Sequence, residues 1–149
     1  MKFWDSSAVV PLIVPETTSR ALRELYDADP VMVAWWGTEI ECTSALARCQ
    51  RLGHLSDDVV ADGFARLGIL RLAWHEVEPS EEVRESAKRL LRVHDLRTAD
   101  ALQLAAAFFV AEARPSTLEF VSLDDQLLLA ARREGFVVAR PTPRSGSAP

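Results

Sequence analysis

Apolar and polar positions follow two rhythms along this chain, and the switches between them mark its elements. Lys2, Phe3 and Trp4 make a short strand that stops at Asp5. Residues 7–14 are apolar at helical density and are punctuated by Pro11 and Pro15. Over 17–27, Ala21, Leu22, Leu25 and Tyr26 recur at helical spacing, the stripe of an amphipathic helix. Asp29-Pro30 breaks that helix, and residues 31–35 read as a second strand. Gly37-Thr38 opens a helix to about Leu52, and Gly53 stops it, because glycine tolerates the left-handed turn that ends a helix. Ser56-Asp57-Asp58 caps a helix to about Leu70, and residues 72–77 suit a short strand closed by Glu78-Pro79. Ser80 caps a helix over 82–93, and another runs over 98–113 before Pro115. Residues 118–123 form a strand, 125–134 a helix and, after Gly135, 136–139 the last strand.

Strands alternating with helices over the whole length predict an α/β domain with a parallel sheet. No internal repeat or second domain interrupts it. The domain is expected to span 1–140, followed by a flexible tail over 141–149 that is rich in Pro, Ser and Gly and free of acids. In open parallel sheets, ligands sit outside the carboxyl ends of the strands, where the strand order switches. Two acids hold such positions: Asp5 after the first strand and Asp124 after "FVSL".

Composition narrows the class. The chain has 149 residues, 48% of them hydrophobic, enough for one compact core. After Met1-Lys2 comes Phe3-Trp4-Asp5, an acid where a signal peptide would continue its apolar run. The longest uncharged apolar stretch, near 101–111, is too short to span a bilayer. A cytoplasmic protein with no membrane contact is expected. A net charge of −5 argues against nucleic-acid binding through bulk positive charge, although clustered active-site carboxylates lower the charge by themselves. Lys2 and Lys88 are the only lysines among 17 basic residues. Arginine is the better phosphate fork, but an excess of Arg and Ala also follows from coding bias. Cys42 and Cys49 lie seven residues apart on one predicted helix, too far apart for a disulfide, and read as small packed thiols. His54, His75 and His94 are scattered and match no zinc-ligand spacing.

Four acids sit where acids are inconvenient. Asp5 and Asp124 follow apolar strands, Glu41 lies in the first turn of "EIECTSALAR", and Asp100 starts the inward face that continues through Leu104, Ala107 and Ala111. Each has an ordinary explanation. Asp5 and Asp124 suit helix caps, Glu41 completes a capping box with Thr38, and Asp100 complements a helix dipole. As a set they converge on one sheet edge, where four ionised carboxylates repel unless a cation offsets them. Oxygen donors without His or Cys point to magnesium or manganese. The chemistry needing such a site is phosphodiester hydrolysis assisted by one or two divalent ions.

These residues carry a resemblance. The chain resembles the PIN-domain ribonucleases, particularly the VapC-type toxins of toxin–antitoxin pairs, through "DSSAVVPLIVPE", "EIECTSALAR", "LRTADALQLAAA" and "FVSLDDQLLLAARREGF", in the family's order from Asp5 to Phe136. The resemblance implies a three-layer α/β/α sandwich with a central, mainly parallel sheet, and a Mg2+ or Mn2+ site made of acids. By position, Asp5, Glu41, Asp100 and Asp124 match the family's acidic residues, as catalytic groups and metal ligands. Ser6 matches its supporting hydroxyl, and Asp125 an outer-shell or water-mediated contact. Glu39 is a rival for Glu41 and Asp125 for Asp124. Arg48, two turns beyond Glu41, is open to RNA phosphate or to a solvated salt bridge. Trp35-Trp36 offer either a stacking face for a base or packing in the core or a dimer.

The implied activity is a metal-dependent endoribonuclease acting as a toxin. Its partners are an RNA substrate, a cognate antitoxin whose C-terminal segment lies in the acidic groove, and a second copy in a homodimer. A non-catalytic PIN-like module that binds RNA or protein, and a housekeeping RNA-processing nuclease, are the alternatives. Two other sheet-edge Asp chemistries fail: a dehalogenase-type phosphotransferase needs a second Asp where Ser7 stands, and a receiver domain needs a late Lys that is absent.

Overall fold

The computed structural model describes residues 1–143. Most of the expected tail, residues 144–149, lies outside the described residues. Five strands form one sheet: β1 (Lys2–Trp4), β2 (Met32–Trp35), β3 (His75–Val77), β4 (Glu119–Val121) and β5 (Val137–Ala139). Their order is β3-β2-β1-β4-β5, and every pairing is parallel. The helices are α1 (Ser6–Ile13), α2 (Ser19–Ala28), α3 (Thr38–Arg51), α4 (Asp57–Ala73), α5 (Glu81–Val93), α6 (Thr98–Val110) and α7 (Asp125–Arg133).

Strand side chains alternate between faces, so a strand covered on both sides reads as continuously apolar. Phe3, Val33 and Phe120 join the core under α5, α6 and α7. Their neighbours Trp4, Met32, Ala34 and Val121 join the opposite core with α1–α4. Phe3 and Phe120 stack at 5.3 Å between ring centroids across the β1–β4 pair. Ala101, Ala105, Ala106 and Ala107 are fully buried on α6, which lets α5 lie close against it. No helix among the described residues is long and apolar enough to cross a membrane.

Several boundaries differ from expectation. The strand expected over 72–77 starts only at His75, because α4 runs on to Ala73. Leu67, Leu70 and Trp74 continue one packed stripe on the α1–α4 side of the sheet, and that helical spacing overrides the short apolar run. The helix expected to reach Ala113 ends at Val110, followed by left-handed backbone at Glu112 and Ala113, φ 49° and 59°. Thr38 is not the N-cap of α3. Gly37 holds that position without a side-chain cap, and Thr38 is fully buried against Gln103. The expected capping box is therefore absent. The stop at Gly53 has φ 69°.

α3 and α4 pack closely at Gly63, where an added Cβ would lie 2.9 Å from Val14 Cγ1 and 3.2 Å from Leu46 Cδ2. Gly63→Val should cost about 1–3 kcal/mol by overpacking. In thermal unfolding that is a drop of about 2–4 °C per kcal/mol for a chain of this size.

Candidate active site

The strand order places β1 beside β4 at the point where the chain, having built β2 and β3 on one side, crosses to build β4 and β5 on the other. The crevice outside the carboxyl ends of these two strands is the natural binding position of an open parallel sheet. Asp5 stands at the end of β1. Its backbone N–H donates to Val121 O of β4 at 3.0 Å. Its side chain caps α1: Oδ2 accepts Ser7 N–H at 3.3 Å, the Ser7 hydroxyl, and the Ser122 hydroxyl at 2.9 Å. Among the described residues, Oδ1 has only the Ser6 hydroxyl, at 3.5 Å. One carboxylate thus caps a helix with one oxygen and leaves the other nearly uncommitted.

Ser7 and Ser122 also hold the β4–α7 turn. Ser7 Oγ accepts Leu123 N–H at 2.9 Å and lies 3.2 Å from Ser122 Oγ, which accepts Asp124 N–H at 3.0 Å. Asp124 caps α7 through Oδ1, which accepts Leu127 N–H at 2.8 Å. The two strand-end acids are therefore fixed relative to one another by a pair of hydroxyls. Sequence reasoning did not single out Ser122, and treated Ser7 only as a place lacking an acid. The available signal was Ser122 as a lone small polar residue directly after an apolar strand.

Glu41, in the first turn of α3, accepts the Ser6 hydroxyl at Oε2 (2.8 Å) and Gln103 Nε2 at Oε1 (3.0 Å). Gln103 is a second residue that sequence reasoning missed, hidden inside an apolar helix. Asp100 stands half-buried in the first turn of α6. Ser6, Glu41, Asp100 and Asp124 line one cleft of about 450 Å³, together with Arg48, Arg97 and Gln126. The two rivals lie elsewhere. Glu39 pairs with Arg71 Nε at 3.4 Å, and Asp125 is exposed and pairs with Arg140. Neither lines the cleft. Asp125, the first residue of α7, thus turns toward Arg140 rather than lining the cleft directly. Trp35 is buried and Trp36 is 45% exposed. Both cysteines are free, and burial pushes the Cys42 thiol far up.

The acids strain one another. Burial raises the Asp5 carboxyl, the Ser7 and Ser122 donors oppose it, and the Asp124 charge adds to it. Burial raises Glu41, opposed by Ser6 and Gln103 and reinforced by Asp5 and Asp100. Burial raises Asp100, reinforced by Asp124 and Asp5 and opposed by Arg97.

A PIN domain profile matches residues 2–133. The chain belongs to the PIN domain family. Two curated proteins of Mycobacterium tuberculosis, Ribonuclease VapC45 and Ribonuclease VapC49, are each 32% identical over 110 residues, 74% of this chain and 76% of theirs. Among solved structures, M. tuberculosis VapC20, a Sarcin-Ricin loop cleaving toxin, aligns at TM-score 0.68 and 18% identity over 95% of this chain and all of its own. A toxin-antitoxin complex from Klebsiella pneumoniae aligns at TM-score 0.65 and 16% identity, over 96% of this chain and 98% of that one. These two likenesses concern the fold, a five-strand parallel sheet between helical layers.

The PIN-domain cleft fits a hard divalent cation in donor type and charge, with carboxylate oxygens whose mutual repulsion a cation would relieve. Among the described residues, no three His, Cys, Asp or Glu side chains form a ready-made metal cage. Magnesium tolerates that, because it keeps several waters and binds through one or two carboxylates.

A stability test follows from the raised acids. A carboxyl that binds its proton more tightly folded than unfolded makes the fold lose stability as pH rises from the unfolded value through the folded one. Asp100 is such a group. Asp100→Asn should therefore melt above wild type at neutral pH in metal-free buffer. The advantage should shrink as pH falls below the ordinary carboxylate range, where both side chains are neutral. A variant that melts lower at neutral pH would contradict this electrostatic account.

Proposed function

We propose that this PIN-domain protein is an endoribonuclease that hydrolyses RNA phosphodiester bonds as the toxin of a toxin–antitoxin pair. The observation that carries the reading is the gathering of Glu41, Asp100 and Asp124 in one cleft, with Asp5 buried at the same sheet edge and coupled to them. The name of the two curated relatives, ribonuclease, supports the same chemistry. The Klebsiella toxin-antitoxin complex supports an antitoxin partner. The protein is expected to work in the cytoplasm as a homodimer. The full acid set favours catalysis over a purely binding module.

Asp5, Glu41, Asp100 and Asp124 would hold Mg2+ or Mn2+. Such an ion supplies polarisation of the phosphate and a bound water of lowered pKa. The chain's own residues do the remainder. Ser7 and Ser122 keep Asp5 from turning away from the crevice. Ser6 holds one oxygen of Glu41. Arg48 and Arg97 come to the cleft from different elements and have no ion pair among the described residues. They suit phosphates of the RNA strand, fixing its path while the acids act on the scissile bond.

Asp5→Asn and Asp100→Asn should each reduce RNA cleavage to background and relieve growth arrest. Cleavage retained by either well-folded variant would overturn the assignment. Arg48→Ala should raise KM with little change in kcat. It should also reduce the slope of log affinity against log salt by about 0.7, the share of one single-strand phosphate contact. This is measurable on RNA bound to the inactive Asp100→Asn protein.

A further inference from the structure

Four buried polar side chains stand out among the described residues: Asp5, Ser122, Thr38 and Gln103. Asp5, Ser122 and Gln103 bond respectively to Ser6, Asp124 and Glu41, which line the cleft, and Thr38 bonds to Gln103. Asp5 and Ser122 bond to each other; Thr38 and Gln103 form a second pair. An amide buried on an otherwise apolar helix face is unfavourable unless its hydrogens find acceptors. Leucine or methionine would fill the same space without that requirement.

Gln103 spends both amide hydrogens on α3. Nε2 donates to Thr38 Oγ1 at 3.1 Å and to Glu41 Oε1 at 3.0 Å. Thr38 and Glu41 are three residues apart and share a helix face, so one side chain grips α3 at two points. Gln103 is likewise three residues after Asp100, which places both on one face of α6. α6 packs into the core on one side of the sheet, and α3 into the core on the other. The amide therefore bridges the two layers at the carboxyl edge and couples the helix carrying Asp100 to the acid on α3.

We propose that Gln103, backed by Thr38, is a positioning residue for Glu41. It holds Glu41 Oε1 while Ser6 holds Oε2, so the carboxylate keeps one orientation toward the cleft. This rests on the reading of Glu41 as a working acid of the nuclease.

The test uses the full chain and Mn2+ as probe. Gln103→Met keeps length and bulk but removes both donors. Mn2+ affinity by calorimetry should fall about ten-fold or more, as is usual when the partner of a metal-holding group is lost. kcat should fall with it, while KM for RNA stays unchanged. In a Glu41→Gln background, Gln103→Met should add no further loss, since the two act as a unit. Should Gln103→Met fail to fold, Gln103→Asn keeps the amide but shortens its reach, and the same losses are expected. Wild-type Mn2+ affinity and kcat in the folded variant, with only the melting temperature lowered, would overturn the proposal and leave Gln103 a packing residue. If Asp5→Asn and Glu41→Gln themselves remain fully active, the nuclease reading fails instead.

Discussion

A carboxylate buried at the end of a central strand is the constraint around which this molecule is arranged. Asp5 is 2% exposed, and burial alone drives it toward the neutral form. It remains tolerable because two hydroxyls and a backbone N–H converge on one of its oxygens. Those donors come from separate parts of the chain. Ser7 belongs to the first turn of α1, and Ser122 to the end of β4. Solvating Asp5 therefore requires β1 and β4 to be neighbours in register, as they are. The strand switch that creates the crevice and the hydrogen bonds that make its central acid affordable are one geometric fact.

The other acids are held by the same logic. Glu41 is gripped from α1 and α6, and Asp124 spends one oxygen on the cap of α7. Each carboxylate has part of its hydrogen-bonding capacity tied to the scaffold, while the repulsion among them remains. That combination of fixed positions and uncompensated charge suits a site that completes itself with a cation and a phosphate. The two apolar cores supply the rigidity. With the sheet packed on both faces, the strand ends have little freedom to relax away from one another.

Capping and catalysis look like competing explanations for these acids when each is considered along the chain. In space they are compatible. Asp5 and Asp124 both cap helices, while Asp124 also lines the cleft and Asp5 lies buried at the same sheet edge. Glu39 and Asp125 are as acidic as Glu41 and Asp124 and one or two residues away. They are separated from them by helix phase, which turns Glu39 to Arg71 and Asp125 to Arg140. The exchange of a capping box for a buried Thr38–Gln103 pair has a similar cause. Thr38 carries a good capping signal, but a long-range partner 65 residues away claims its hydroxyl.

The sequence by itself determined the alternating α/β plan, the acids at the strand ends and the family motifs that link them, because these depend on local periodicity and on spacing along the chain. It did not determine where α4 ends, which of two adjacent acids faces the crevice, or that Ser122 and Gln103 support the site. Those outcomes belong to the tertiary structure. They depend on which layers pack together and on which buried donor reaches which carboxylate, and contacts between residues 62 to 117 positions apart leave no periodic trace in the chain.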